Sequence, residues 1–396
     1  MNALRFSQRV AAVQPSPTLA VSAKAAELRA AGQDIIGLGA GQPDFDTPEH
    51  IKEAAIRAIR DGRTGYTAVD GTPELKAAVQ AKFKRDQGLD FALDQILVSV
   101  GGKQSFYNLC QALLDPGDEV VIPAPYWVSY PDMVRLAEGD PVFIPTDMAQ
   151  NFKITSEQLE RAITASTRLV VLNSPSNPSG RAYSKAELTA LGEVLRFHED
   201  VLIATDDMYE HILWTEAGFV NILDACPDLY ERTIVMNGVS KAYAMTGWRI
   251  GYIGGPASLV KKMKIIQSQS TSNPCSIAQA AAAEALNGDQ ACIQPMLTAF
   301  KTRHDYLYQA LNALPGVACA PSDGTFYSFP SFQGAIERLD GVNNDLDLAA
   351  YLLDAVGIAV VPGSAFGIEG CLRISFATGM DELAAAIQRF EKALGG

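Results

Sequence analysis

Short apolar runs alternate with helix-like segments through the middle of the chain. The runs lie at 96–100, 119–122, 142–144, 168–172, 201–204, 233–236 and 250–253. One helical pattern covers 103–114 and ends in Pro-Gly turn chemistry, and another covers 184–198, where Ser184 and Glu187 have the spacing of a capping box. Strands that are apolar on both faces and are joined by helices predict an α/β fold with a mostly parallel, helix-covered sheet.

The two ends of the chain have a different pattern. Residues 1–45 contain a predicted helix at 19–31 and a Gly-rich turn. From about 290 onward the pattern predicts a long helix, a strand pair formed by 326–329 and 358–361, and a terminal helix. We therefore predict a large domain over 46–289, and a smaller α+β domain built from 1–45 together with 290–396.

The amino-acid composition excludes several classes of protein. The chain has 396 residues, of which 48% are hydrophobic and 19% charged, with a net charge of −13. This excludes a disordered chain and argues against a nucleic-acid partner, which requires a basic surface. Six scattered cysteines without a CxxC pair and four histidines without HExxH predict no metal site. Because we find neither an apolar span nor a signal-peptide core, we predict a cytoplasmic protein with no membrane partner.

In open α/β sheets, ligands bind beyond the carboxyl ends of the strands. The polar residues that follow each predicted strand are therefore the candidate ligand-binding residues. The segment 237–252 follows the strand at 233–236, and its only charged residues are Lys241 and Arg249. A lysine in a partly desolvated pocket has a lowered pKa and can form a Schiff base, and an arginine beside it can bind a phosphate. The alternative is an ordinary surface lysine.

Three further segments follow predicted strands. Asp206 can pair with a protonated ring nitrogen, and Tyr209 can donate to a phenolate oxygen; the alternative for Asp206 is a helix N-cap. The Pro-rich loop 173–180 can orient Asn177, or it is an ordinary turn. Gly101 and Gly102 lie between a strand and a helix, where backbone N–H groups bind phosphate well, although Gly-Gly turns are common.

Taken in this order, the four segments resemble the pyridoxal-phosphate-dependent aminotransferases of class I, subgroup Ib, which have the aspartate aminotransferase fold (fold type I). The resemblance covers the full chain. It rests also on Pro15-Ser16-Pro17-Thr18, on the stretch from Gly41 to Pro48, on the stretch from Tyr126 to Pro131, and on the stretch from Leu372 to Thr378.

The resemblance implies a role for each matching residue. Lys241 would hold pyridoxal 5′-phosphate covalently, with Asp206 at the pyridine nitrogen. Tyr209 and Asn177 would donate to the ring oxygen, and Trp127 would stack on the ring. The phosphate would be bound by Gly101, Gly102, Lys103, Ser240 and Arg249, and by Tyr66 from a neighbouring subunit. Arg373 would bind the substrate α-carboxylate, and the backbone of Gly41 would contact the substrate; Lys103, Trp127 and Asn177 would also line the substrate site.

The implied function is transamination from an L-amino acid, with aspartate or glutamate as the first choice, to a 2-oxo acid such as 2-oxoglutarate. In subgroup Ib a lysine at position 103 is associated with the side-chain carboxylate of the substrate; the alternative is that Lys103 serves only the cofactor phosphate. In the enzymes that this chain resembles, the use of prephenate is associated with a lysine just before the Pro-Ser pair. This chain has Gln14 at that position. The shared role of Tyr66 implies a homodimer.

Other readings of the chain remain open. Gly37, Gly39 and Gly41 suggest a nicotinamide-dependent reductase, but the dinucleotide fingerprint needs a third glycine where Gln42 stands. An aromatic, alanine or broad-specificity aminotransferase, or a lyase, racemase or decarboxylase of the same fold, would use the same cofactor residues. A regulatory ligand sensor would need an added basic module that this acidic chain does not contain.

Overall fold

The computed structural model describes residues 4–395. The strands are β1 (Ile36–Gly37), β2 (Ile96–Ser99), β3 (Glu119–Pro123), β4 (Asp140–Ile144), β5 (Thr167–Asn173), β6 (Leu202–Asp206), β7 (Thr233–Gly238), β8 (Gly251–Gly254), β9 (Tyr327–Ser328), β10 (Ile358–Ala359), β11 (Val361–Pro362) and β12 (Leu372–Ser375). Residues 1–3 and 396, which belong to the predicted smaller domain, lie outside the described residues.

The α-helices are α1 (Gln8–Ala11), α2 (Pro17–Ala30), α3 (Glu49–Arg60), α4 (Pro73–Gln87), α5 (Gly102–Leu113), α6 (Ser129–Leu136), α7 (Ser156–Ala162), α8 (Lys185–Arg196), α9 (Ile222–Ala225), α10 (Ala257–Ser268), α11 (Ser276–Asn287), α12 (Ile293–Ala313), α13 (Gln333–Ile336), α14 (Asp345–Val356) and α15 (Met380–Leu394). Short 3-10 turns lie at Leu93–Gln95, Pro227–Arg232, Thr246–Trp248, Gln290–Cys292 and Gly363–Phe366. Among the described residues, no helix is both long and apolar enough to cross a membrane.

Seven strands form the main sheet, in the order β2-β8-β7-β6-β5-β3-β4. The strands β7, β6, β5, β3 and β4 pair in parallel, while β8 runs antiparallel to both β7 and β2. Apart from the edge strand β4, which is partly exposed, the strands are almost fully buried on both faces, as parallel sheets covered by helices require. The predicted α/β class with a mostly parallel sheet is therefore confirmed.

The boundaries predicted from the sequence differ from those observed by one or two residues in this sheet. The helix predicted over 184–198 is observed at Lys185–Arg196. Its capping box is present, because the Ser184 hydroxyl accepts from the Glu187 N–H at 3.3 Å and the Glu187 carboxylate accepts from the Ser184 N–H at 2.7 Å. The strand predicted over 201–204 extends to Asp206, so this carboxylate ends the strand and does not cap a helix.

The smaller sheets involve both ends of the chain. β1 pairs in parallel with β10, and β12 lies between β11 and β9 in an antiparallel sheet. The predicted pairing of 326–329 with 358–361 is wrong: Tyr327–Ser328 pairs with β12, and Ile358–Ala359 pairs with β1. Apolar runs of two to four residues contain no information about their partner, since the pairing depends on packing between distant segments.

The carboxyl ends of three neighbouring parallel strands meet at one edge of the main sheet. Asn173 at the end of β5 is in register with Asp206 at the end of β6, and Asp206 is in register with Met236 of β7. Lys241 lies three residues after β7 ends at Gly238. Parallel pairing therefore brings three of the predicted polar segments to the same place.

Candidate active site

A cavity of about 600 Å³ opens at this edge of the main sheet. Eleven of the thirteen predicted site residues line it: Gly41, Gly102, Lys103, Trp127, Asn177, Asp206, Tyr209, Ser240, Lys241, Arg249 and Arg373. Gly101 is the residue directly before Gly102, and its backbone lies close to Arg249. Tyr66 does not line the cavity, and it is 96% exposed on the surface of the single chain. The structure thus brings eleven of the predicted residues together at the strand ends.

Lys241 extends into the cavity from the loop after β7. Its Nζ donates a hydrogen bond to the carbonyl oxygen of Gly41 and lies 5.9 Å from the centre of the Tyr209 ring. Burial, followed by the positive charges of Arg373 and Arg249, lowers the pKa of Lys241 to about 7. A large part of this amine is therefore neutral near neutral pH, as a nucleophile or a proton acceptor must be.

Asp206 lies at the bottom of the same cavity. Tyr130 donates a hydrogen bond to its Oδ2 at 2.5 Å, and the Met208 N–H donates to its Oδ1 at 3.3 Å. Burial raises the pKa of Asp206, while Tyr130, the Met208 amide and the charge of Lys241 act in the opposite direction. The carboxylate is thus held by donors on the protein side and is open to the cavity on the other side.

The start of helix α5 and Arg249 form an anion-binding corner. Gly101 has a φ of +83°, and a Cβ there would lie 2.4 Å from Nη2 of Arg249. A Cβ at Gly251 would lie 2.3 Å from the backbone nitrogen of Gly102. The glycines therefore allow the helix N-terminus, Arg249 and strand β8 to approach closely. Free N–H groups at the beginning of a helix, next to a guanidinium group, bind an anion such as a phosphate.

Trp127 and Lys103 form another wall of the cavity. The ammonium group of Lys103 lies 5.2 Å from the centre of the Trp127 ring. Desolvation and the charge of Arg249 lower the pKa of Lys103. The Trp127 ring packs edge-to-face on Tyr130, with centroids 5.2 Å apart and an interplanar angle of 89°. This wall combines a flat aromatic surface with a positive charge at its edge.

Arg373 enters the cavity from β12, far from the other site residues in the sequence. It is 2% exposed, and its guanidinium group donates to Asn177 Oδ1 at 3.1 Å and to the Gly39 carbonyl at 2.7 Å. Within the described residues, its Nε has no hydrogen-bond partner. A buried arginine with an unused donor at a cavity wall is suited to a carboxylate ligand.

Two tyrosines of the site were missed by the sequence analysis. Tyr130 donates to Asp206, and the hydroxyl of Tyr327 lies 3.1 Å from that of Tyr209. Tyr130 follows Trp127 by three residues and lies in the first turn of α6, and its closeness to Trp127 in the sequence was an available signal. Tyr327 lies in a two-residue strand with no polar pattern around it, so only the three-dimensional structure reveals it.

A network of buried polar groups lies behind the segment that contains Asp206 and Tyr209. The side chains of Asp206 and Tyr209 line the cavity, whereas those of Asp207 and Glu210 are buried among other partners. Gln87 donates to Asp207 at 3.2 Å and to Glu210 at 2.6 Å, and Lys82 forms an ion pair with Glu210. Burial is the main cause that raises the pKa of Asp207 to about 8. These contacts hold the turn after β6 from the side opposite the cavity.

One group of metal-ligand side chains converges in the described part of the chain, formed by Asp86, Glu210 and His211. The ammonium group of Lys82 forms an ion pair with Glu210 and lies 3.8 Å from Asp86. A cation of the protein therefore already balances these carboxylates, and we assign no metal site to the group.

Comparison with known proteins identifies the family. Residues 33–390 match the family described as aminotransferase class I and II. The chain is 61% identical to the aspartate/prephenate aminotransferase of Nitrosomonas europaea, covering 99% of this chain and 100% of the relative. Among solved structures, the aspartate aminotransferase of Rhizobium meliloti is 49% identical with a TM-score of 0.96 and covers 99% of each chain. The Thermus thermophilus aspartate aminotransferase with maleate is 43% identical with a TM-score of 0.93, covering 99% of this chain and 100% of that one.

The fold, the cavity at the strand ends and these full-length matches agree with one another. Enzymes of this family use pyridoxal 5′-phosphate to transfer amino groups, and the nicotinamide-dependent reductase considered from the Gly-rich turn is excluded. The chain belongs to the class I and II family of aminotransferases.

Proposed function

We propose that the cavity binds pyridoxal 5′-phosphate in the way the resemblance implies. The proposed attachment point is Lys241, the partner of the ring nitrogen is Asp206, and the donors to the ring oxygen are Tyr209 and Asn177. Trp127 stacks on the ring, and the phosphate is bound by Gly101, Gly102, Lys103, Ser240 and Arg249. The support is chemical fit: a lysine with a pKa of about 7, an accessible carboxylate and an anion-binding corner line one cavity.

The chain's own residues then have separate tasks. When bound, the cofactor supplies an electron sink that stabilises negative charge on the substrate Cα. Asp206 provides the negative charge that keeps a ring nitrogen protonated. Arg373 holds the substrate α-carboxylate and so orients the Cα–H bond. The amine of Lys241, with its pKa of about 7, would take the proton from the substrate Cα as a general base and deliver it to the cofactor carbon C4′ as a general acid.

The proposed amino donors are aspartate and glutamate, and the proposed acceptors are their 2-oxo acids. Lys103 is the side chain proposed to bind the distal carboxylate. The support is that Lys103 lines the same cavity as Arg373 and lies over the Trp127 ring. The relatives named above also bear names that include aspartate, and one of them includes prephenate. Gln14 stands where the resemblance associates prephenate use with a lysine, whereas the name of the Nitrosomonas europaea relative includes prephenate, so prephenate is included among the acceptors to be assayed.

The observation that carries this proposal is the convergence of Lys241, Asp206 and Arg373 in one cavity, although they come from separate parts of the chain. Borohydride reduction of the purified protein followed by peptide mapping tests it. We expect the reduced adduct on Lys241 and no adduct in Lys241→Ala. An adduct that remains on another lysine in that variant would refute the assignment.

A second experiment tests the substrate. The kcat/KM values of Lys103→Ala for aspartate, alanine and phenylalanine are compared with those of Lys185→Ala, a control at the exposed beginning of α8. We expect Lys103→Ala to lose far more activity toward aspartate than toward the other two amino acids. An equal loss for all three would make Lys103 a cofactor residue only. Prephenate is assayed as an acceptor alongside 2-oxoglutarate.

We further propose a cytoplasmic homodimer in which Tyr66 completes the phosphate site of the partner subunit. The full exposure of this aromatic side chain on a single chain supports the dimer. We also propose the domain division at 45/46 and 289/290, because the main sheet lies within 96–254 and β1 (36–37) pairs with β10 (358–359) outside it. Light scattering tests the dimer, and a concentration-independent monomer with full activity would contradict it.

A further inference from the structure

Tyr327 occupies a central position that the proposed roles do not use. It lies on β9, where it pairs with Ser375 of β12, the strand that contains Arg373. The residue is 1% exposed, and it lines the cavity. Its backbone is fixed by two further bonds: the N–H donates to the Thr325 hydroxyl at 3.2 Å, and the carbonyl accepts from the Ser322 hydroxyl at 2.8 Å. The ring is therefore held in one place.

The ring of Tyr327 packs against the guanidinium group of Arg373. The centre of that group lies 4.4 Å from the Tyr327 ring centre and 5.1 Å from the ring centre of Phe366. Aromatic faces attract a cation, and the attraction is larger where water is excluded. Asn177 and the Gly39 carbonyl hold the guanidinium group by hydrogen bonds, and the rings limit its movement in the remaining directions.

The hydroxyl of Tyr327 is directed to a second group of the site. It lies 3.1 Å from the hydroxyl of Tyr209, and either of the two can be the donor. A tyrosine hydroxyl has one hydrogen to donate. If Tyr209 donates that hydrogen to the cofactor, its oxygen can only accept the hydrogen of Tyr327. Accepting a bond makes a hydroxyl a stronger donor, so Tyr327 would strengthen the bond that Tyr209 makes.

We propose that Tyr327 is a positioning residue that serves both sides of the reaction: its ring fixes Arg373 for the substrate carboxylate, and its hydroxyl orients and polarises Tyr209 for the cofactor. This inference rests on the proposed function. The two contacts use different parts of one side chain, so two substitutions separate them. Tyr327→Phe removes the hydroxyl and keeps the ring, and Tyr327→Leu removes both.

The experiment uses the holoenzyme and two measurements that do not depend on turnover. The first is the dissociation constant of maleate, a dicarboxylate without an amino group, followed by absorbance. The second is the pH midpoint of the colour change of the bound cofactor. Tyr183→Phe is the matched control, because it removes a buried hydroxyl bonded to the Ile154 amide and lies outside the cavity lining.

We expect Tyr327→Phe to bind maleate within about twofold of the unmodified enzyme, since the ring remains. Its colour midpoint should move to higher pH, because a weaker Tyr209 donor stabilises the anionic ring oxygen less. Tyr327→Leu should show the same midpoint shift and bind maleate roughly three- to thirtyfold more weakly. Tyr183→Phe should change neither quantity. Lys241 and Asp206 also face this region, and both remain unchanged in all variants.

The outcomes separate this inference from the proposed function. A purified enzyme that stays colourless with added pyridoxal 5′-phosphate contradicts the proposed function. A coloured enzyme in which Tyr327→Phe leaves the midpoint unchanged overturns the inference about the hydroxyl, whether or not Tyr327→Leu folds. Equal weakening of maleate in Tyr327→Phe and Tyr327→Leu overturns the inference about the ring.

Discussion

Removing the hydroxyl of Tyr130 should shift the acidic side of the activity profile. In Tyr130→Phe, Asp206 loses the hydrogen bond that its Oδ2 accepts at 2.5 Å and keeps the longer one from the Met208 amide. The replacement keeps the ring, so its packing on Trp127 is preserved. The perturbation is therefore the loss of one donor to a buried carboxylate.

The structure gives the sign and the size of the effect. Burial already raises the pKa of Asp206, and the Tyr130 bond opposes that rise. A hydrogen bond to a charged group contributes about 1.5–3 kcal/mol. Without the bond, the charged form of Asp206 loses stabilisation of this size, and the pKa of Asp206 should rise further. Since the charged carboxylate is the functional form, activity should then be lost at a higher pH on the acidic side.

The assay is kcat/KM for aspartate and 2-oxoglutarate between about pH 5 and pH 9, where such profiles report the pKa values of the free enzyme. Tyr183→Phe is the control for the general cost of deleting a buried tyrosine hydroxyl. A uniform decrease of activity with an unchanged acidic limb would show that Tyr130 acts only through stability, and the reasoning about Asp206 would be refuted.

Three other substitutions probe separate parts of the molecule. Gly101→Ala should weaken cofactor binding by roughly tenfold or more, because φ is +83° there and the new Cβ would lie 2.4 Å from Arg249. Fluorescence titration with the cofactor measures this affinity. An unchanged affinity would contradict the proposed anion-binding corner. Lys82→Met leaves the Glu210 carboxylate without its buried ion-pair partner and should lower the free energy of unfolding by about 3–5 kcal/mol. Urea denaturation measures this loss. A loss below about 1 kcal/mol would argue against the ion pair. Ser184→Ala removes the cap of α8 and should cost about 1 kcal/mol in the same experiment without changing activity.

The parts of the site that could be predicted are those set by strand ends. Lys241, Asp206 and Asn177 each follow an apolar strand within a few residues, and parallel pairing brings such positions together in any sheet of this type. Arg373 comes from a separate small sheet, and nothing in the local pattern links it to Lys241, so only the family resemblance identified it.

The errors have physical causes of the same kind. The strand pairing of 326–329 with 358–361 was wrong because strands of two residues have no pattern that selects a partner. Tyr130 and Tyr327 were missed because their importance depends on the direction of a hydroxyl group, which side-chain packing determines. A buried tyrosine in the sequence is most often a core residue, and only its hydrogen-bond partner distinguishes the two cases.

The buried network behind the turn after β6 also limits how this enzyme can evolve. Gln87 donates hydrogen bonds to both Asp207 and Glu210, and Glu210 forms an ion pair with Lys82. A lineage that changes one of these four residues removes a buried contact from the others, so we expect them to be inherited or replaced as a group. Lys103, the proposed specificity residue, lies over the Trp127 ring and outside this network, so amino-acid preference can change there by single mutations while the network stays the same.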